Sequence, residues 1–195
     1  MNGAVRNVWV LVGGVPGSGK TYIGRQIAKS IGVFLDKDTI SRFFSEDLLA
    51  LLGQSPNDRE SEIYRTRVRP KEYDTMQKVA RENLELGHSV ICAAPYLQEF
   101  SDPQWRDDIE AHAELGGASL HYIWIESDED TIRERLRKRG AARDTWKLTN
   151  WTAWWSQVQK APPPVNGLHV IDNRVQPARS VQNQLKDILE SLARG

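Results

Sequence analysis

The sequence predicts an α/β fold of three layers: a five-stranded parallel sheet, helices on both of its faces, and a small lid. Three observations predict it. Five short apolar runs alternate with helical segments, and such alternation implies parallel strands joined by right-handed crossovers. Residues 14–21 read Gly-Val-Pro-Gly-Ser-Gly-Lys-Thr, a complete G-x-x-x-x-G-K-[ST] loop set between the first apolar run and the first helical one. The length, 195 residues, fits one domain with a sizeable core, so residues 1–195 are read as one unit.

The elements follow in order. Residues 8–12, Val-Trp-Val-Leu-Val, form an apolar run of the kind buried in a parallel sheet. Past the loop, apolar residues at 23, 27, 28 and 31 have helical spacing. Further strands are expected at 33–35, 89–94, 120–125 and 168–171, and further helices at about 38–52, 71–86, 103–115, 128–139 and 177–193. Residues 54–69 read as a long polar connection, and 161–164, Ala-Pro-Pro-Pro, as a stiff spacer before the last strand. Ser127-Asp128-Glu129-Asp130 opens its helix with a capping-box-like pattern.

Ligands on such sheets bind beyond the carboxyl ends of the strands. That rule selects 13–21, 36–38, 95–100, 126–128 and 172–176. In the loop, Gly14, Pro16, Gly17, Ser18 and Gly19 shape a turn whose backbone N–H groups bind phosphate oxygens. Lys20 supplies a cation for the β- and γ-phosphates, the Thr21 hydroxyl can hold Mg²⁺, and the following helix points its positive end at the same anion. Asp36 and Asp38 end the second strand on the same rim. Phosphoryl transfer to an alcohol needs a carboxylate to orient the hydroxyl and take its proton, and acids to organise Mg²⁺. Asp38 can equally serve as the N-cap of a helix starting at Thr39.

With these residues the chain resembles the P-loop small-molecule kinases, a group that includes shikimate and gluconate kinases, chloramphenicol phosphotransferase, zeta toxins and bacteriophage polynucleotide kinase. The resemblance rests on Gly14–Thr21, Asp36-x-Asp38 and a basic segment from Arg135 to Arg143. It implies the P-loop NTPase fold, ATP and Mg²⁺ as cofactors, Asp38 as base and Asp36 with Thr21 as metal ligands. It also implies a lid over about 135–150, in which Arg135 lies against adenine while Arg139 reaches the phosphates and acts with Lys20 in catalysis. Arg143 is a further lid arginine, and the loop with Asn173 resembles the segment that cups adenine. The third strand departs from the group. It ends Ala93-Ala94-Pro95-Tyr96, so an apolar and aromatic substrate wall with Tyr96 is expected.

Other residues admit plainer roles beside functional ones. Arg42, one turn past Asp38, is a substrate-contact candidate. Arg65, Arg67 and Arg69 alternate before Pro70, and residues preceding proline favour extended geometry. They would then share a face that receives an anionic substrate, or simply be solvated; Arg69 is taken as substrate-binding. Six cations occupy positions 133–143, a density that predicts repulsion until phosphate arrives and hence a lid ordered by nucleotide. Trp146, Trp151, Trp154 and Trp155 either pack the lid base or stack on a flat substrate. The four histidines have no metal-ligand spacing.

Twenty-six cationic and 26 anionic side chains balance, which argues against a nucleic-acid partner, since backbone binding needs a basic stripe. One cysteine, no leader pattern at the N-terminus and no long apolar stretch predict a cytoplasmic protein without a membrane partner. The expected function is ATP- and Mg²⁺-dependent transfer of the γ-phosphate to a hydroxyl of a small molecule, a metabolite or an antibiotic. The alternatives are a polynucleotide-end kinase and a nucleotide-dependent switch. Ile125-Glu126 lacks the Asp-Glu pair of motor ATPases. Neither the acceptor nor the oligomeric state is legible in the chain.

Overall fold

The computed structural model describes residues 7–158 and 161–193. The N-terminal stretch read for a leader pattern lies, apart from Asn7, outside the described residues. Five parallel strands, β1 (Asn7–Gly13), β2 (Val33–Asp36), β3 (Val90–Ala93), β4 (Ala118–Glu126) and β5 (His169–Asp172), form one sheet in the order β2-β3-β1-β4-β5. β1 is central, flanked by β3 and β4. The connection from β1 runs to β2 on one side and that from β3 to β4 on the other, so the crevice where ligands of such sheets bind opens between β1 and β3.

The inner strands β1 and β3 are buried on both faces because both are covered. Trp9 and Leu11 of β1 join one core with Tyr73, Met76, Phe100, Ile109 and Trp124. That core lies under α3 (Arg69–Glu85) and α4 (Pro103–Leu115). Val8, Val10 and Val12 point the other way. They pack with Ile23 and Ile27 of α1 (Lys20–Ile31) and with Leu185 and Ile188 of α8 (Val181–Leu192). Period-2 alternation along one strand therefore feeds two cores.

The expected helices are present, with α2 at Lys37–Leu51 and α5 at Glu129–Arg139. Asp128 Oδ1 caps α5 by accepting from the Thr131 N–H at 2.8 Å. Two short helices, α6 (Thr145–Thr149) and α7 (Trp151–Gln157), follow α5. Trp151 and Trp154 pack with Val15, Ile132 and Leu136, and Trp155 packs against them; Trp146 stays 47% exposed outside that cluster.

The connection 54–69 differs from expectation. Tyr64–Val68 is a π-helical turn running directly into α3, and Arg69 has helical dihedrals (φ −54°, ψ −43°). The three arginines do not lie on an extended strand. Proline is tolerated in a first helical turn, where its missing N–H is not needed. A regular helix continued through Pro70 would drive its ring into the carbonyl four residues back, and the wider π turn relieves that clash.

Candidate active site

The loop residues 14–19 leave the centre of the sheet and close on themselves through Ser18 N–H to Val15 O, 3.1 Å. Two side chains from distant elements pin it. Asn173 Nδ2 donates to Ser18 O at 2.6 Å, and Arg135 Nη1 donates to the same oxygen at 3.1 Å while its Nη2 donates to Asn173 O. Both residues expected at adenine are thus seen holding the phosphate loop itself. Gly19 sits at φ 102°, and a Cβ there would collide with Asn173 Nδ2. Gly19→Ala is therefore expected to displace the Asn173 clamp and strain the turn. Nucleotide affinity should fall at least about tenfold, the loss of one to two charged or backbone hydrogen bonds, as read by titration with an ATP analogue.

Lys20 opens α1, and its Nζ donates to Val15 O at 2.9 Å. The residue is partly exposed, but its ammonium is enclosed by the loop. Burial lowers it to about 8, against the opposing pull of Asp38 and Asp36. An anion in the loop supplies the counter-charge that favours its protonated form. Thr21 Oγ1 donates to Asp36 Oδ2 at 2.7 Å. The other oxygen of Asp36, Oδ1, accepts from the N–H groups of Asp38 and Thr39, at 3.0 and 3.2 Å. The N-cap of α2 is therefore Asp36, not Asp38, which lies inside the first turn and is free of that duty. Thr21 and Asp36 present a hydroxyl and a carboxylate side by side. Hard oxygen donors of this kind suit Mg²⁺, which takes one or two protein oxygens and completes its shell with phosphate and water. Among the described residues no group of three or more His, Cys, Asp or Glu could hold a metal ion alone.

Asp38 is gripped on both oxygens. Lys37 Nζ lies 3.2 Å from Oδ1 and Arg143 Nη1 2.9 Å from Oδ2. Its side chain keeps 42% of its surface exposed to the cleft. Burial pushes the carboxyl up, but Lys37 and Arg143 outweigh it and hold it at about 2. Lys37, buried at 3% exposure, and its partner Glu72 were not singled out in the sequence. A lysine between two aspartates reads as one more surface charge.

Of the six cations at 133–143, Arg139 and Arg143 are held in ion pairs, and Arg135 in hydrogen bonds to backbone oxygens. Arg139 Nε and Nη2 both reach Asp144 Oδ2, at 2.8 and 2.5 Å, and Lys147 Nζ meets Glu60 Oε1 at 2.8 Å. Arg139 thus ties the segment after Gly140 to α5, while Arg143 on Asp38 and Lys147 on Glu60 hold it to α2 and the 54–69 connection. Asp144 is 1% exposed, so removing its charge leaves Arg139 without its partner beside a buried polar group. Hydrogen exchange at 139–149 should therefore quicken at least about tenfold in Asp144→Asn, roughly the 1.5–3 kcal/mol of a charged hydrogen bond.

These elements enclose a cleft of about 1240 Å³. Pro16, Gly17, Gly19, Lys20 and Thr21 of the loop line it together with Arg59, Tyr64, Arg65, Pro95, Leu97 and Trp154. Arg42 and Arg69 also face it, each with an acid nearby: Arg42 Nε is 2.9 Å from Glu46 Oε1, and Arg69 Nη2 is 2.6 Å from Glu99 Oε1. Tyr96 does not line the wall. It is 1% exposed, with its ring stacked on Phe100 at 4.8 Å and edge-on to Tyr73 at 5.5 Å. Its φ of 50° turns the chain back, sending the ring into the core, so the apolar wall is made by Pro95 and Leu97 instead.

Known proteins share both the sequence pattern and the fold around this site. Residues 9–164 match the family described as an AAA domain. The chain belongs to this AAA domain family. No curated protein is detectably similar in sequence. The fold of this AAA-domain protein is shared with a sugar kinase from Janibacter sp. HTCC2649 at 18% identity, TM-score 0.62, covering 94% of this chain and 93% of that one. A gluconokinase from Sinorhizobium meliloti 1021 aligns at 16% identity, TM-score 0.58, over 97% and 93%. The APS kinase of Mycobacterium tuberculosis, solved with AMPPNP and APS, aligns at 17% identity, TM-score 0.59, over 98% and 100%. At these identities the likeness is one of fold, a P-loop kinase architecture of three layers.

Proposed function

We propose that this protein is a phosphotransferase that moves the γ-phosphate of ATP, with Mg²⁺, to a hydroxyl of a small molecule. The observation that carries the reading is the placement of Asp38. Its carboxylate lines the same cleft as the phosphate loop and the Thr21–Asp36 pair, and that cleft is also lined by Tyr64, Pro95 and Leu97. Lys20 would bind the β- and γ-phosphate oxygens after leaving Val15 O. Thr21 and Asp36 would hold Mg²⁺, which when bound neutralises phosphate charge. Asp38 orients the acceptor hydroxyl and receives its proton as the new P–O bond forms and the bond to the ADP oxygen breaks. Arg143 and Arg139 stand where a lid can supply further positive charge. The relatives named for a sugar, gluconate and APS support a small hydroxylated acceptor.

The same reading takes the chain as one domain with a lid over about 135–150, acting in the cytoplasm. The buried free thiol of Cys92 suits a reducing compartment, and no helix among the described residues is long and apolar enough to cross a membrane. A screen for acceptor-stimulated ADP release across sugars, sugar acids, nucleosides and aminoglycosides tests the reading. Stimulation by at least one small hydroxyl compound is expected. Turnover stimulated only by a protein partner would contradict it.

A further inference from the structure

Behind Asp38 lies a buried polar cluster that the transfer chemistry itself does not use. Lys37 Nζ bridges Asp38 Oδ1 and Glu72 Oε2. Glu72, 1% exposed, is saturated by three groups from two elements: Lys37 and the Ser45 hydroxyl on α2, the latter at 2.8 Å to Oε1, and the Tyr64 hydroxyl on the π turn at 2.9 Å to Oε2. The Tyr73 ring closes the far side of the ammonium, 5.9 Å away.

We propose that Glu72 acts through Lys37 to position Asp38, fixing Oδ1 inward so that Oδ2 is the oxygen presented to the acceptor hydroxyl. Both are positioning residues, and the assignment rests on the phosphotransferase reading. A buried ammonium is costly unless paired. A pair with Glu72 alone would meet that need, and Ser45 and Tyr64 already hold Glu72 in place. The contact with Asp38 is thus surplus to satisfying Lys37. What it changes is the freedom of a partly exposed carboxylate on the first turn of a helix. The remaining oxygen, Oδ2, is met only by Arg143 of the lid among the salt bridges of the described residues, a partner that a phosphate group can draw away. The charges are complementary: Asp38 and Glu72 against Lys37 and Arg143. One cation is buried beneath the base and one arrives from the lid.

The test separates positioning from mere support of the fold. In the double variant Lys37→Met/Glu72→Gln, both buried charges go together, which tends to be neutral for stability, and the introduced carboxamide retains partners for Ser45 and Tyr64. Transfer is measured with Mg-ATP and the most active of gluconate, glucose, adenosine and kanamycin. The unfolding midpoint is expected near the parent value, with KM for ATP and acceptor within about twofold and kcat down at least ~10-fold, the signature of a loss confined to the transition state. A stable double variant with parental kcat would overturn the proposal. A crystal structure of the variant gives an answer independent of acceptor. An Asp38 side chain turned away from its parental rotamer supports the positioning role; an unmoved carboxylate overturns it. Should the parent protein transfer to none of the four compounds, the phosphotransferase reading fails for them, and the crystal structure alone decides whether Lys37 positions Asp38.

Discussion

Replacing Lys20 by alanine should reduce affinity for Mg-ATP by about two orders of magnitude, or ~2–3 kcal/mol, the scale for losing one charge-assisted contact to phosphate. The fold should survive, because the ammonium reaches only Val15 O within the loop and the helix it begins is anchored by Ile23 and Ile27 in the core. Alanine is also a good helix former at the start of α1. Titration with a non-hydrolysable ATP analogue, paired with a thermal melt, separates the two effects. A folded Lys20→Ala protein that binds nucleotide like the parent would remove the loop from the nucleotide site.

Replacing Asp38 by asparagine should leave nucleotide affinity nearly unchanged while slowing transfer by about two to four orders of magnitude, the usual range for loss of a general base. Asparagine keeps the size of the side chain but cannot accept the proton. The helix start is not at risk, since Asp36 supplies the cap. Lys37 keeps Glu72 as a counter-ion, so no buried cation is stranded. Asp36→Asn should behave differently. It touches Thr21 and the cap of α2, so its effect should appear as a raised Mg²⁺ requirement and some lost stability. The comparison needs the true acceptor, because hydrolysis by water can bypass the base.

The sheet and its helices were legible because each strand is a short apolar run and each long helix carries a 3.6-residue apolar period. Local signals of this kind survive without knowledge of tertiary contacts. The phosphate loop was legible for a stronger reason: its glycines and lysine are dictated by the ligand's geometry. What the sequence hid was partnership. That Arg135 and Asn173 would meet at Ser18 O depends on an approach across 117 and 155 residues of chain. The pairing of Arg139 with Asp144 and of Arg143 with Asp38 likewise takes two charges of the 133–143 run into ion pairs. Lys37 and Glu72 lie 35 residues apart, and only burial distinguishes them from solvated charges. Tyr96 misled because a residue after a strand was expected at the ligand rim, whereas a left-handed φ sends its side chain inward. The π turn before Pro70 was missed because the usual extended bias of a pre-proline residue yields when a helix begins at the proline.

The most direct measurement follows the phosphate itself. ATP labelled at the γ-phosphorus is incubated with Mg²⁺, the protein and each candidate acceptor, and the products are separated. The label is expected to move to a hydroxyl of a small acceptor as a phosphate ester, with transfer requiring Mg²⁺ and largely abolished in Asp38→Asn. Label appearing only as inorganic phosphate, at a rate no small acceptor changes, or only on polynucleotide ends with steep salt dependence, would contradict the account.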